Sequence, residues 1–217
     1  MEKASTKQII DVLRSVSLDD ADVENKVLAL KSRYDEPWRH YHNFEHPLEM
    51  FAILLDNRSV VQNLGAVAWA VMYHDAIYDP TAQHGRNEEL SAQLAEHELS
   101  GVVDSRVLDV TAHYIRETVG HTADANDSDL DLFMDIDLAI LGSSPDRYKR
   151  YATDVRREYA HVADNIYAAG RTQVLRSLAG GALGGQIYRT EKLASVCQTQ
   201  AKKNTEEEIN SLNSRSY

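Results

Sequence analysis

Cysteine is almost absent from this chain of 217 residues, which has only Cys197. One thiol makes no internal disulfide and no zinc knuckle, so any metal must be held by histidine and carboxylate. Long apolar runs are missing too. The longest, at residues 64–73, is far short of a membrane span, and the N-terminal MEKASTKQII lacks the apolar stretch of a signal peptide. The expected location is therefore the cytoplasm, with no membrane partner. Cations are scarce beside acids, 23 Lys and Arg against 34 Asp and Glu, and the net charge of −11 argues against a broad surface for duplex nucleic acid. It does not exclude a small phosphorylated ligand, which needs only a local group of arginines or a metal ion. No Pro/Gly/Ser-rich stretch divides the chain, no internal repeat occurs, and no run alternates β-branched with polar residues.

What is present suits a packed globular core: 43% hydrophobic and 26% charged residues. We expect one domain over residues 1–217, all-α. Apolar spacing predicts two helices within residues 6–33, around a polar break at 17–20. Residues 33–44, RYDEPWRHYHNF, read as a structured loop feeding a helix from Glu45, with Pro47 tolerated in its first turn. Residues 63–77 read as a helix buried on most sides, ending near His74 and Asp75, with Asp79 and Pro80 marking the exit. Further helices are expected over 87–99 with an Asn87 cap, over 104–117, and over 130–141 ending at Gly142. A long helix is expected from Ser144 to near Gly170, followed by helical stretches around 173–178 and 188–212 on either side of GGALGG.

The residues able to carry chemistry are His40, His42 and His46, the His74-Asp75 pair, His113, His121, Asp135 and Asp137. Neighbours on a helix point about 100° apart, so His74 and Asp75 can share one ion only if it lies between their directions, with other helices supplying the rest. His46 and Asp137, both among apolar neighbours, are the natural suppliers. Two imidazoles and two carboxylates suit divalent first-row metals such as manganese, iron, cobalt, nickel or zinc. Taken singly each has a plainer account, a satisfied core histidine or a buried partner for an arginine; the combination is what points to metal.

The segments RHYHNFEH, AVMYHDAIYDP with NEELSA, and MDIDLAILG resemble predicted metal-dependent phosphohydrolases of the HD superfamily, in the subgroup with an RxYHNxxH motif. The likeness runs from Arg39 to about Asn204 and includes Tyr148, Tyr151, Arg156, Glu158, Tyr159, Gly170 and Arg171. It implies a helical bundle in which His46, His74, Asp75 and Asp137 bind one or two divalent ions, magnesium among the options, that activate water against a phosphate ester of a small nucleotide or phosphomonoester. His121, in ETVGH, resembles a further histidine of the subgroup, suited to a second ion or the leaving group. Guanosine tetraphosphate hydrolases of the superfamily follow their His-Asp with Glu-Asp; here Tyr78 stands at the Glu position while Asp79 keeps the Asp. Their substrate and mechanism therefore do not transfer directly.

In such a reaction Asp75 is expected to touch both metal and water, and Asp79 or Glu88 to orient the water or carry its proton. Each of those two acids is equally suited to a cap or a surface position. His42 and Asn43 lie beside the first ligand, where substrate contacts or support for a metal-bound imidazole are expected. Arg39, Arg156, Arg157 and Arg171 are the arginines considered for phosphate, with Arg157 better explained as a solvated residue paired with an acid. Tyr148, Tyr151 and Tyr159 form a stripe that suits a core, from which one hydroxyl, Tyr148 for instance, can line a pocket. The alternatives are an HD-type di-iron oxygenase and a non-catalytic helical metal-binding scaffold. A ferritin-like site wants two Glu-x-x-His motifs, and the chain offers one obvious case, Glu158 to His161.

Overall fold

Serine and glutamine start the first helix by capping each other: Ser5 accepts from the Gln8 backbone while the Gln8 side chain accepts from Ser5. The computed structural model describes residues 3–121, 126–180 and 185–214. Helices α1 (Thr6–Ser15) and α2 (Val23–Tyr34) flank the expected polar break, and α1 turns Ile9, Ile10, Val12 and Leu13 inward. The aromatic loop then leads into α3 (Glu45–Asp56), with Pro47 in its first turn.

At the centre is α4 (Leu64–Tyr73), started by Asn63, whose side chain accepts the Ala66 N–H. Each side chain from Ala66 to Tyr73 is fully buried, so α4 has no polar face and needs neighbours on all sides. They include α1, α2 and α3, then α5 (Arg86–Leu99), α6 (Ser105–Glu117) and α7 (Ser128–Asp137). Buried Asp129 at the start of α7 accepts the backbone N–H groups of Gln62 and Asn63, fixing the entry to α4. The chain continues through a 3-10 turn at Leu138–Gly142 into α8 (Pro145–Glu158), α9 (Asp164–Gly180) and α10 (Glu191–Ser214). The large buried side chains form one contiguous cluster, and no strand occurs among the described residues. No helix of the described residues is long and apolar enough to cross a membrane.

Several boundaries differ from the sequence expectation. The buried helix stops at Tyr73, with His74 as its C-cap, rather than at residue 77. Gly85, not Asn87, precedes α5, at a φ of 77° that glycine adopts without strain. Asn87 instead exchanges two hydrogen bonds with the Asp79 backbone. The helix expected over 130–141 is α only to Asp137 and tightens to 3-10 beyond it. The long helix expected from 144 to 170 is two helices. Arg156 turns onto the carbonyls of Tyr159 and Val162 and pairs with Asp164, closing α8 and opening α9, so Gly170 lies inside α9. Of the GGALGG segment, residues 181–184 lie outside the described residues.

Candidate metal centre

Three helix ends bring the expected ligands together. His46 sits in the first turn of α3, His74 caps the C-terminus of α4 with Asp75 next to it, and Asp137 is the last residue of α7. Helix C-termini carry partial negative charge, so two of these ends favour a cation. The two histidines are buried, and the carboxylates are only slightly exposed. His46 Nε2 lies 3.1 Å from His74 Nε2 and 3.0 Å from Asp137 Oδ1. His74 Nε2 lies 3.1 Å from Asp75 Oδ2 and 3.6 Å from Asp137 Oδ1. Ligand atoms of His46, His74 and Asp75 all fall within 4.8 Å of one another, and this group could hold a metal ion.

His74 Nδ1 is 3.0 Å from the Val71 carbonyl, which can only accept, so that nitrogen carries a hydrogen. In the neutral ring Nε2 is then an acceptor, facing two carboxylate oxygens and a second imidazole nitrogen. Acceptors crowded together need a proton or a metal ion between them. Burial opposes charging His74, but Asp75 and Asp137 beside it outweigh that and raise its pKa to about 9. Burial likewise opposes the charge on Asp75 and Asp137. The histidines around them prevail and hold both carboxyls below the usual range.

Further side chains orient this cluster. Tyr41 Oη lies 3.2 Å from His46 Nδ1. His121 Nε2 is 2.7 Å from Asp137 Oδ2, the oxygen away from His46, and its own carbonyl accepts from Arg189. His121 reaches this place with φ at 52°, the only positive value at a non-glycine among the described residues. His42 stacks on Tyr78 at 4.4 Å and sets its Nδ1 2.6 Å from Glu158 Oε2. Glu158, itself buried, also takes the Tyr78 hydroxyl on Oε2 and the backbone N–H groups of His40, Tyr41 and His42 on Oε1. One carboxylate thereby shapes the whole loop that precedes His46. Beside His46 and Asp137 opens a cavity of about 440 Å³, which Arg147, Arg150 and Asp154 of α8 also line.

The structure gathers His46, His74, Asp75 and Asp137, with His121 against Asp137 and His42 close to His46. Other expected residues have different partners. Buried Arg39 donates to the carbonyls of His42, Asp75 and Ala76 and to Glu36, so its guanidinium faces inward and pins the loop to the His74-Asp75 turn. Arg171 and Tyr148 both bind Glu208 of α10, and Arg156 closes α8 as described. Arg39, Arg156, Arg171 and Tyr148, expected at a phosphate or in a pocket, thus all make contacts within the chain. Asp79 is a turn residue that accepts from Thr81, and Glu88 is half-buried in the first turn of α5 without a hydrogen bond among the described residues. Asp135 is buried and accepts from Arg189 and Thr190, tying α7 to the entry of α10, and His113 pairs with Glu117. His161 is exposed beyond the end of α8, away from a shared site with Glu158.

Sequence reasoning did not single out Glu158 or Tyr41 as supports. The available signal for Glu158 was an acid on the apolar stripe of Tyr148, Tyr151 and Val155. Tyr41 gave none beyond its neighbourhood. Comparison of the chain with models of known families, with curated proteins and with solved structures finds no match.

Proposed function

We propose that this chain is a metal-dependent phosphohydrolase of the HD type, with His46, His74, Asp75 and Asp137 holding a divalent ion. The observation that carries the reading is the convergence of two imidazole nitrogens and two carboxylate oxygens, supplied by the three segments that resemble the HD motifs. The donor set fits such an ion: mixed nitrogen and oxygen, no thiolate, and lone pairs of His46, His74, Asp75 and Asp137 crowded at one point. When bound, a divalent ion supplies Lewis acidity toward a phosphoryl oxygen and a water acidified toward neutrality.

The chain's own residues supply orientation. Val71 fixes the tautomer of His74, Tyr41 and His121 hold His46 and Asp137, and Arg39 holds the backbone of Asp75. His42 Nδ1 is held by Glu158, while its Nε2 has no partner among the described residues and is free to meet a substrate oxygen. A ferritin-like di-iron reading loses its motif, because Glu158 is engaged by five hydrogen-bond donors and His161 is exposed.

The test is to strip the protein of metal, restore manganese, nickel, cobalt, zinc, iron or magnesium in turn, and follow phosphate release from nucleotides and phosphomonoesters, with Asp75→Ala as control. Metal-restored release that disappears in the variant supports the proposal. Metal binding without phosphate release from any compound removes the hydrolase and leaves a metal centre. A protein that binds no divalent ion removes both.

A further inference from the structure

The cavity beside the cluster has a charge pattern that bears on substrate class. His46 and Asp137 form part of its wall, so a ligand there lies against the candidate metal centre. Aliphatic side chains of α3 and the 3-10 turn, Met50, Ile53 and Ile140, line another part. Its cations are Lys3, Arg147 and Arg150, and apart from Asp137 its acids are Glu45, Glu49 and Asp154.

Most of these charges already have partners. Lys3 lies 2.7 Å from Glu45 and 3.7 Å from Glu49, and Arg147 lies 2.8 Å from Glu49. Asp154 pairs with Arg157 at 3.3 Å. Arg150, on the same side of α8 as Arg147, is exposed and has no ion pair among the described residues. A divalent ion on the cluster would be offset by the carboxylates of Asp75 and Asp137, which leaves little positive charge beyond Arg150. Each added phosphate on a ligand adds negative charge, and to neutralise it the cavity would have to break the pairs of Glu49 and Glu45. Breaking them exposes those carboxylates to the ligand, an arrangement that rejects a polyanion. The net charge of −11 also disfavours its approach.

We propose that this cavity binds a monophosphate ester and discriminates against di- and triphosphates, with Arg150 as its phosphate-binding cation and the Glu49 pairs as the discriminating element. The proposal rests on the hydrolase reading for its chemistry: the oxygen of water bonds to phosphorus as the ester P–O bond breaks, one proton of the water goes to the leaving alcohol, and the other stays on the inorganic phosphate.

The experiment compares adenosine monophosphate and adenosine triphosphate on the manganese-loaded chain, measuring phosphate release and, by calorimetry, equilibrium binding. The monophosphate is expected to be favoured by about tenfold or more in kcat/KM and in affinity. Arg150→Ala is expected to weaken the monophosphate about tenfold without changing manganese affinity. Glu49→Gln, which takes the carboxylate from Arg147 and leaves Lys3 paired with Glu45, is expected to narrow the preference. A preference for the triphosphate, or an Arg150→Ala variant that binds the monophosphate as the parent does, overturns the inference while leaving the hydrolase standing. If neither nucleotide releases phosphate, the hydrolase reading is decided by the wider panel above, and the binding data decide the cavity: monophosphate preference weakened by Arg150→Ala sustains it, and any other pattern overturns it.

Discussion

Glu158 and His42, 116 residues apart in sequence, meet at 2.6 Å between Oε2 and Nδ1. The same carboxylate takes the N–H groups of three consecutive loop residues, so the end of α8 sets the path of the chain into His46, the first candidate metal ligand. A helix late in the sequence thereby holds a motif near its start.

Replacing Glu158 by Gln puts an amide where five donors converge. We expect a loss of about 3 kcal/mol, read as a fall in the urea midpoint, because buried donors lose their acceptor. The pairing also sets a pH window. Burial raises the carboxyl pKa, but His42 and the backbone donors prevail and bring it from 4.5 to about 2. A lowered acid stabilises fully above its ordinary value, and that stability is lost as the pH falls toward 2. His42, raised above 6.5 because Glu158 outweighs its burial, stabilises below that value and ceases to as the pH rises through its raised pKa. Between about pH 5 and pH 3 the urea midpoint of Glu158→Gln is therefore expected to fall less steeply than that of the parent. Equal slopes would refute the assignment.

His121 supports Asp137 from the side away from His46. His121→Asn keeps a residue that tolerates positive φ and removes the imidazole. Manganese affinity, measured by calorimetry, is expected to fall about 10–100-fold, with the thermal midpoint of the stripped protein little changed. An unaltered affinity would show that Asp137 needs no such support.

Arg39 separates a structural arginine from a phosphate-binding one. Its guanidinium fork serves three carbonyls and a carboxylate at once, which an ammonium cannot reproduce. Arg39→Lys is expected to cost about 2 kcal/mol in chemical denaturation and to weaken metal binding. A variant of parental stability with poorer substrate KM alone would return Arg39 to the substrate.

Gly142 ends the 3-10 turn against α10. A methyl group there would lie 2.6 Å from Cys197 Cβ and 3.0 Å from the Cys197 carbonyl. Gly142→Ala is expected to destabilise by about 2 kcal/mol, seen as a lower thermal midpoint, because a backbone oxygen cannot step aside as a flexible side chain can. An unchanged midpoint would mean that α10 shifts freely.

Local rules made much of the helical pattern legible. Apolar spacing and polar breaks located α1 and α2, and an unbroken apolar run marked α4 as buried. Boundaries were less legible where side chains from elsewhere decided them, as when Arg156 closed α8 well before Gly170. The four expected ligands were nameable because His and Asp among apolar neighbours need partners. The tasks of Arg39, Arg156 and Arg171 were not, because a guanidinium that binds a carbonyl looks the same in sequence as one that awaits a phosphate.

The sequence by itself determined the all-helical class, the exclusion of cysteine from metal binding, and the residues suited to a nitrogen and oxygen donor set, since these follow from residue chemistry and local periodicity. Only the tertiary structure decided that His46, His74, Asp75 and Asp137 meet, that Glu158 shapes the loop before them, and that Arg150 rather than Arg39 faces the adjoining cavity. Those outcomes depend on contacts between helices far apart in the chain, whose positions are set by burial of the shared core and not by any local pattern.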